Sequence, residues 1–134
     1  MSLVIDASLL AAWFLDEKSD PRVEMAFDIV ARVETWAPSL LTYEIRNALL
    51  MNERRNRITE AMSAAFLRDL ARLPIRFQAP GDDANLMTLA RQRKLTVYDA
   101  AYLELAKREA LPLATLDRAL EKAAVAEGVA LFGA

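Results

Sequence analysis

Short, mostly apolar runs recur along this chain, separated by stretches with helical periodicity. Leu3-Val4-Ile5 is the clearest, with no polar alternation, as in a strand buried on both faces. Thr35-Trp36-Ala37, Ile75-Arg76-Phe77, Leu113-Ala114-Thr115 and Val129-Ala130-Leu131 are weaker runs of similar length. Helices are predicted from Ser8 to Leu15 and after the start signal Ser19-Asp20-Pro21. Further helices are predicted from about Ser39 to Arg54, from Thr59 to the stop at Pro74, after Pro80-Gly81-Asp82, from Tyr98-Asp99, and over Asp117 to Ala126. Strands that alternate with helices are joined in parallel, because the helix carries the chain back. The expected fold is α/β, a three-layer α/β/α sandwich around a central parallel sheet.

The helical faces follow the same logic. Val23, Ala26, Phe27 and Val30 recur at i, i+3, i+4, i+7, as do Met62, Phe66, Leu70 and Leu73 approximately. Leu86, Leu89 and Ala90 form a third inward face, and two of the helices should make a hairpin across Asn56-Arg57-Ile58. A chain of 134 residues, 54% hydrophobic and 27% charged, can bury a real core. It has no repeat, low-complexity tract or linker, so one domain over residues 1–134 is expected. Asp6 interrupts the apolar N-terminus and no basic stretch precedes it, which makes a poor signal peptide. No segment is long enough to span a bilayer, and a cytoplasmic protein is expected.

Against this pattern stand four acids: Asp6, Glu44, Asp99 and Asp117. Asp6 and Asp117 follow apolar runs, at strand ends where open α/β sheets bind ligands. Glu44, read as lying well inside its helix, shares a face with Leu41, Ile45 and Ala48; Asp99 shares one with Tyr102, Leu103 and Ala106. No lysine or arginine sits on those stripes. Two like charges about 4 Å apart cost roughly 4 kcal/mol at an effective dielectric near 20. Acids gathered without basic partners therefore suggest a divalent cation held through oxygen, Mg2+ or Mn2+.

The chain has no histidine and no cysteine. That excludes disulfides, a thiolate nucleophile, serine–histidine catalysis and the usual zinc sites. A cation among carboxylates suits phosphodiester hydrolysis without a histidine base. A net charge of −2 argues against holding nucleic acid by phosphate contacts alone, unless a cation neutralises the acids. Singly, the acids have structural explanations. Asp6 can cap a helix with Ser8, and Asp99 and Asp117 can be acids favoured at helix N-termini. Ser8 and Thr115 are structural hydroxyls or groups that orient the acids.

The residues around these acids resemble a known family. Val4-Ile5-Asp6-Ala7-Ser8 looks like the opening of a PIN domain. The stretch Pro38 to Leu49 resembles that family's second acidic motif, with Asn47 three residues after Glu44. Thr96-Val97-Tyr98-Asp99-Ala100-Ala101-Tyr102-Leu103 resembles the third, and Leu113 to Arg118 the last. In size and motif style the chain is most similar to VapC-type toxins of toxin–antitoxin pairs. The resemblance implies strand order 3-2-1-4-5 and a magnesium- or manganese-dependent endoribonuclease, dimeric and silenced by a small antitoxin. It implies Asp6, Glu44, Asp99 and Asp117 as catalytic and metal-holding residues, with Asn47 beside Ser8 and Thr115 in support.

Arg54, Arg55 and Arg57 form one basic cluster and Arg91, Arg93 and Lys94 another, either solvated helix ends or contacts for an RNA backbone. Met51, Met62 and Phe66 are core residues or the lining of a groove for an antitoxin helix. The alternatives are a catalytically inactive PIN-like binding module, an aspartyl-phosphate phosphatase and a phosphoacceptor signalling domain. Asp6-Ala7-Ser8 lacks the second acid a phosphatase needs, and Phe77-Gln78-Ala79 lacks the acceptor aspartate of a signalling domain.

Overall fold

The computed structural model describes residues 2–15, 21–32 and 34–133. Its elements run β1 (Leu3–Ile5), α1 (Ala7–Phe14), α2 (Pro21–Val30), β2 (Thr35–Pro38), α3 (Leu41–Arg54), α4 (Glu60–Ala71), β3 (Ile75–Gln78), α5 (Asp83–Arg93), α6 (Val97–Glu109), β4 (Leu113–Ala114) and α7 (Arg118–Ala126). The Ser19-Asp20 start signal lies outside the described residues.

The four strands form one parallel sheet in the order β3-β2-β1-β4, flanked by helices as the apolar runs predict. β1 is central, Leu3, Val4 and Ile5 are fully buried, and Val4 is in register with both Trp36 and Leu113. β3 is an edge strand, which leaves Arg76 and Phe77 exposed. The predicted fifth strand shrinks to one parallel bridge between Leu113 and Leu131. β4 is only two residues long, so the chain after α7 finds little ladder to extend.

Strand order reverses between β1 and β4. Right-handed crossovers then put α1 to α4 on one face and α5 and α6 on the other. The contacts agree: α1 packs on α2 and α3, and α6 on α5 and α7. α6 lies against β1, β2 and β4 and buries Ala100, Tyr102, Leu103, Leu105 and Ala106.

Side-chain caps set most helix starts. Asp6, Thr59, Asp82, Thr96 and Asp117 each accept a backbone N–H at the head of a helix. Among the described helix starts α3 is the exception, and it begins at Leu41, not Ser39. The Ser39 N–H donates to the Gln78 carbonyl at 2.9 Å, which keeps Ser39 tied to the sheet. One expected core position of α4 differs: Met62 is 47% exposed. Leu73 lies beyond the helix end but still packs on the core, and Ser63 is buried with its hydroxyl donating to Glu53 Oε2 at 2.6 Å. Among the described residues no helix is long and apolar enough to cross a membrane.

Candidate active site

β1 ends at Ile5, and Asp6 follows at the point where strand order reverses. It is the N-cap of α1 and only 4% exposed. Three donors hold its carboxylate. Oδ1 accepts from the Ser8 hydroxyl at 2.7 Å and from the Leu9 N–H at 3.2 Å, and Oδ2 accepts from the Thr115 hydroxyl. Both hydroxyls are themselves oriented: Leu116 N–H donates to Ser8 Oγ at 2.9 Å, and Asp117 N–H to Thr115 Oγ1 at 3.0 Å. The acid is thus stitched to the segment just past β4.

Even so, burial outweighs these bonds. Desolvation pushes the Asp6 carboxyl up to about 6, opposed by Thr115, Ser8 and Leu9 and reinforced by the Asp117 charge. Glu44 and Asp99, both half-buried, are raised as well, first by desolvation and then by neighbouring acids: Glu44 by Asp99, Asp99 by Asp117. These couplings link Asp6 to Asp117, Asp117 to Asp99 and Asp99 to Glu44. No lysine or arginine is among the groups acting on Asp6, Glu44 or Asp99.

The start of α3 changes the reading of Glu44. It sits in the first turn, its N–H bonded to the Leu40 carbonyl at 3.0 Å, and not deep in the helix. All four acids therefore stand at helix N-termini: Asp6 and Asp117 as caps of α1 and α7, Glu44 and Asp99 in the first turns of α3 and α6. A helix N-terminus favours a carboxylate. Three of these carboxyls are raised nonetheless, so desolvation and mutual repulsion win.

Among the described residues, no group of three or more acids is arranged to hold a metal ion directly. The donor set still fits a hard cation. It is all oxygen, it is short of positive charge, and Asp6 Oδ2 accepts one protein donor where a carboxylate oxygen has room for two. Magnesium needs only one or two protein carboxylates and keeps several waters.

Of the supporting residues, Ser8 and Thr115 touch Asp6, whereas Asn47 is exposed on α3 one turn after Glu44. Sequence reasoning missed Tyr102, which it treated as an apolar stripe residue. Its buried hydroxyl donates to Glu44 Oε1 at 2.5 Å and feels the Asp6 charge. A buried tyrosine needs a partner for its hydroxyl, and an acid-bearing helix face was the available signal. Tyr102→Phe removes the donor to Glu44. The expected cost is about 1–3 kcal/mol in urea unfolding, with the Glu44 carboxyl driven still higher. An unchanged unfolding midpoint would show that the hydroxyl carries no weight.

Comparisons with known proteins agree with this architecture. The family model of the PIN domain matches residues 3–126. Ribonuclease VapC3 of Pyrobaculum aerophilum is 34% identical over 125 residues, which cover 90% of this chain and 92% of that protein. The crystal structure of PAE2754, also from Pyrobaculum aerophilum, superposes with a TM-score of 0.73 at 26% identity, covering 92% of this chain and 84% of that one.

Proposed function

This chain belongs to the PIN-domain family, and from that premise we propose that it is a metal-dependent endoribonuclease hydrolysing RNA phosphodiester bonds. The reading extends to a cytoplasmic toxin of a toxin–antitoxin pair, carried by one domain over residues 1–134. The observation that carries it is Asp6: a buried carboxylate, fixed by three donors, facing other acids and no basic group. The relative named a ribonuclease supports the choice of RNA.

In this proposal Asp6, Glu44, Asp99 and Asp117 hold Mg2+ or Mn2+ directly or through water. When bound, the cation supplies positive charge against the phosphate and the leaving oxygen. The chain's own part is geometric and electrostatic. Ser8 and Thr115 hold Asp6 against rotation, and Tyr102 holds Glu44. The four helix N-termini add partial positive charge around the phosphate. The test is incubation with total RNA and manganese or magnesium, with and without a chelator. Chelator-insensitive cleavage would count against metal dependence.

A second reading, a PIN-like binding module without cleavage, draws on the lack, among the described residues, of three or more acids arranged to hold a metal ion directly. The same assay decides between them, because a binding module leaves RNA intact.

Arg54, Arg55 and Arg57 support an RNA-backbone contact. All three are exposed and none pairs with an acid among the described residues. In the other cluster Arg93 is already engaged by Glu127 at 2.5 Å. Replacing Arg54, Arg55 and Arg57 with alanine should weaken RNA binding and flatten its logarithmic salt dependence by about 0.7 per lost phosphate contact. An unchanged slope excludes the cluster.

An antitoxin segment has a candidate groove of about 280 Å³ between α1 and α4, lined by Trp13, Phe14, Met62 and Phe66 among others. Phe66 packs on both Trp13 and Phe14 as the floor, and exposed Met62 stands at the edge. Light scattering on protein expressed alone, and with the product of the neighbouring small reading frame, measures both this pairing and a homodimer.

A further inference from the structure

Beside the acidic crevice lies a cavity of about 160 Å³ at the ends of β2 and β3, with walls that include Pro38, Leu40, Gly81, Tyr98, Glu104 and Arg108. We propose that it receives one unstacked nucleobase of the RNA and prefers a base carrying an exocyclic amino group. The inference rests on the ribonuclease reading and adds a specificity site to it.

Location comes first. Tyr98 immediately precedes Asp99, and the Leu40 carbonyl accepts the Glu44 N–H. Two lining residues are thus joined to two of the four acids, Tyr98 by the chain and Leu40 by a backbone bond. A strand held there by its phosphate has a neighbouring base within reach of the opening.

The lining suits a base. Most of the wall is apolar, and Tyr98 is 63% exposed, an aromatic face kept at the surface without packing need. Exposed aromatic rings beside single-stranded substrates serve as stacking platforms.

Glu104 supplies the selectivity. It is 6% exposed, and the acidic crevice makes no use of it. Arg108 Nε donates to Oε1 at 3.0 Å and Nη2 to Oε2 at 3.2 Å, which leaves each oxygen able to accept once more. A surface pair one helical turn apart needs no such burial. Gly81 makes the room: a Cβ there would collide with the Glu104 carboxylate. Its backbone is outside the left-handed region, so the glycine serves space and not conformation. A fixed carboxylate accepts hydrogen bonds and donates none. Cytosine, adenine and guanine offer it an amino group, whereas uracil offers only N3–H, flanked on both sides by carbonyl oxygens that a carboxylate repels.

The experiment compares short single-stranded RNAs that differ by one base at each position around the cleaved bond. The wild-type protein should disfavour uracil at one position by about tenfold or more. Glu104→Gln, whose amide both donates and accepts, should bring that discrimination within about twofold. A second measurement uses the Asp6→Asn protein, with fluorescence anisotropy of labelled RNA. Adding Tyr98→Ala, a surface change, should weaken binding about tenfold. If the base profile survives Glu104→Gln and affinity survives Tyr98→Ala while the wild type cleaves RNA, the base site is wrong and the ribonuclease reading stands. If the wild type neither cuts nor binds RNA, both fall together. If Glu104→Gln fails to fold by its melting curve, the Tyr98→Ala affinity decides alone.

Discussion

Asp6→Asn is expected to abolish RNA cleavage and, without divalent cations, to make the protein more stable at neutral pH. The first effect follows from removing the negative charge at the centre of the acidic crevice. A loss of at least about a thousandfold, roughly 4 kcal/mol of transition-state stabilisation, is the expected scale. The second follows from burial. The Asp6 carboxyl sits at about 6 in the folded protein against 3.8 for a solvated aspartate. The folded state therefore binds this proton more tightly than the unfolded chain does. Below about pH 4 both states are protonated and nothing is lost. As pH rises toward 6 the penalty accrues, and above it the cation-free fold forgoes about 3 kcal/mol, from a shift of about 2 pH units. Asparagine keeps the acceptor for Ser8 and Leu9 and offers Thr115 a donor instead. The melting temperature at pH 7.5 should rise by roughly 5–10 °C. Subtracting the two stability curves over pH 4–8 isolates the Asp6 contribution from every other acid. Equal cleavage by both proteins would mean a contaminating nuclease or a misplaced site. A mutant less stable than the wild type at pH 7.5 would mean that the three donors outweigh desolvation.

The second large effect is cation-linked stability. If Mg2+ or Mn2+ binds among these acids, saturating cation at pH 7.5 should stabilise the fold by about 2.7 kcal/mol at a hundredfold excess over Kd. Near pH 5 the gain should fade, because the cation must then displace a proton from Asp6. Calorimetry at pH 6 in buffers of different ionisation enthalpy should register that proton. In Asp6→Asn the stabilisation should be largely gone. A melting temperature indifferent to both ions, in protein shown to be folded, would remove the cation from the proposal.

Much of this was legible in the chain before any coordinates. Leu3-Val4-Ile5 reads as a strand buried on both faces, and a central strand places Asp6 at the carboxyl edge of the sheet. The caps at Thr59 and Asp117 are local chemistry and were readable. The departures were set by contacts distant in sequence. Ser39 looks like a helix start, yet α3 begins at Leu41 beside a Ser39 N–H bonded to the Gln78 carbonyl, and Glu44 falls in the first turn. Met62 follows the apolar period yet faces out, because Ser63 and Glu53 take the inward position. The Tyr102 hydroxyl and the Glu104 carboxylate lie on one helix whose face reads as apolar, and only their partners give them meaning.

The seam around Asp6 also has a consequence in time. Asp6 and Thr115 are 109 residues apart in the chain, yet the hydroxyl of one holds the carboxylate of the other. The Ser8 hydroxyl is likewise oriented by the Leu116 amide, 108 residues on. During translation the early half of this pair leaves the ribosome long before its mate exists. In the proposed ribonuclease, a centre built this way would stay unassembled until synthesis is nearly finished.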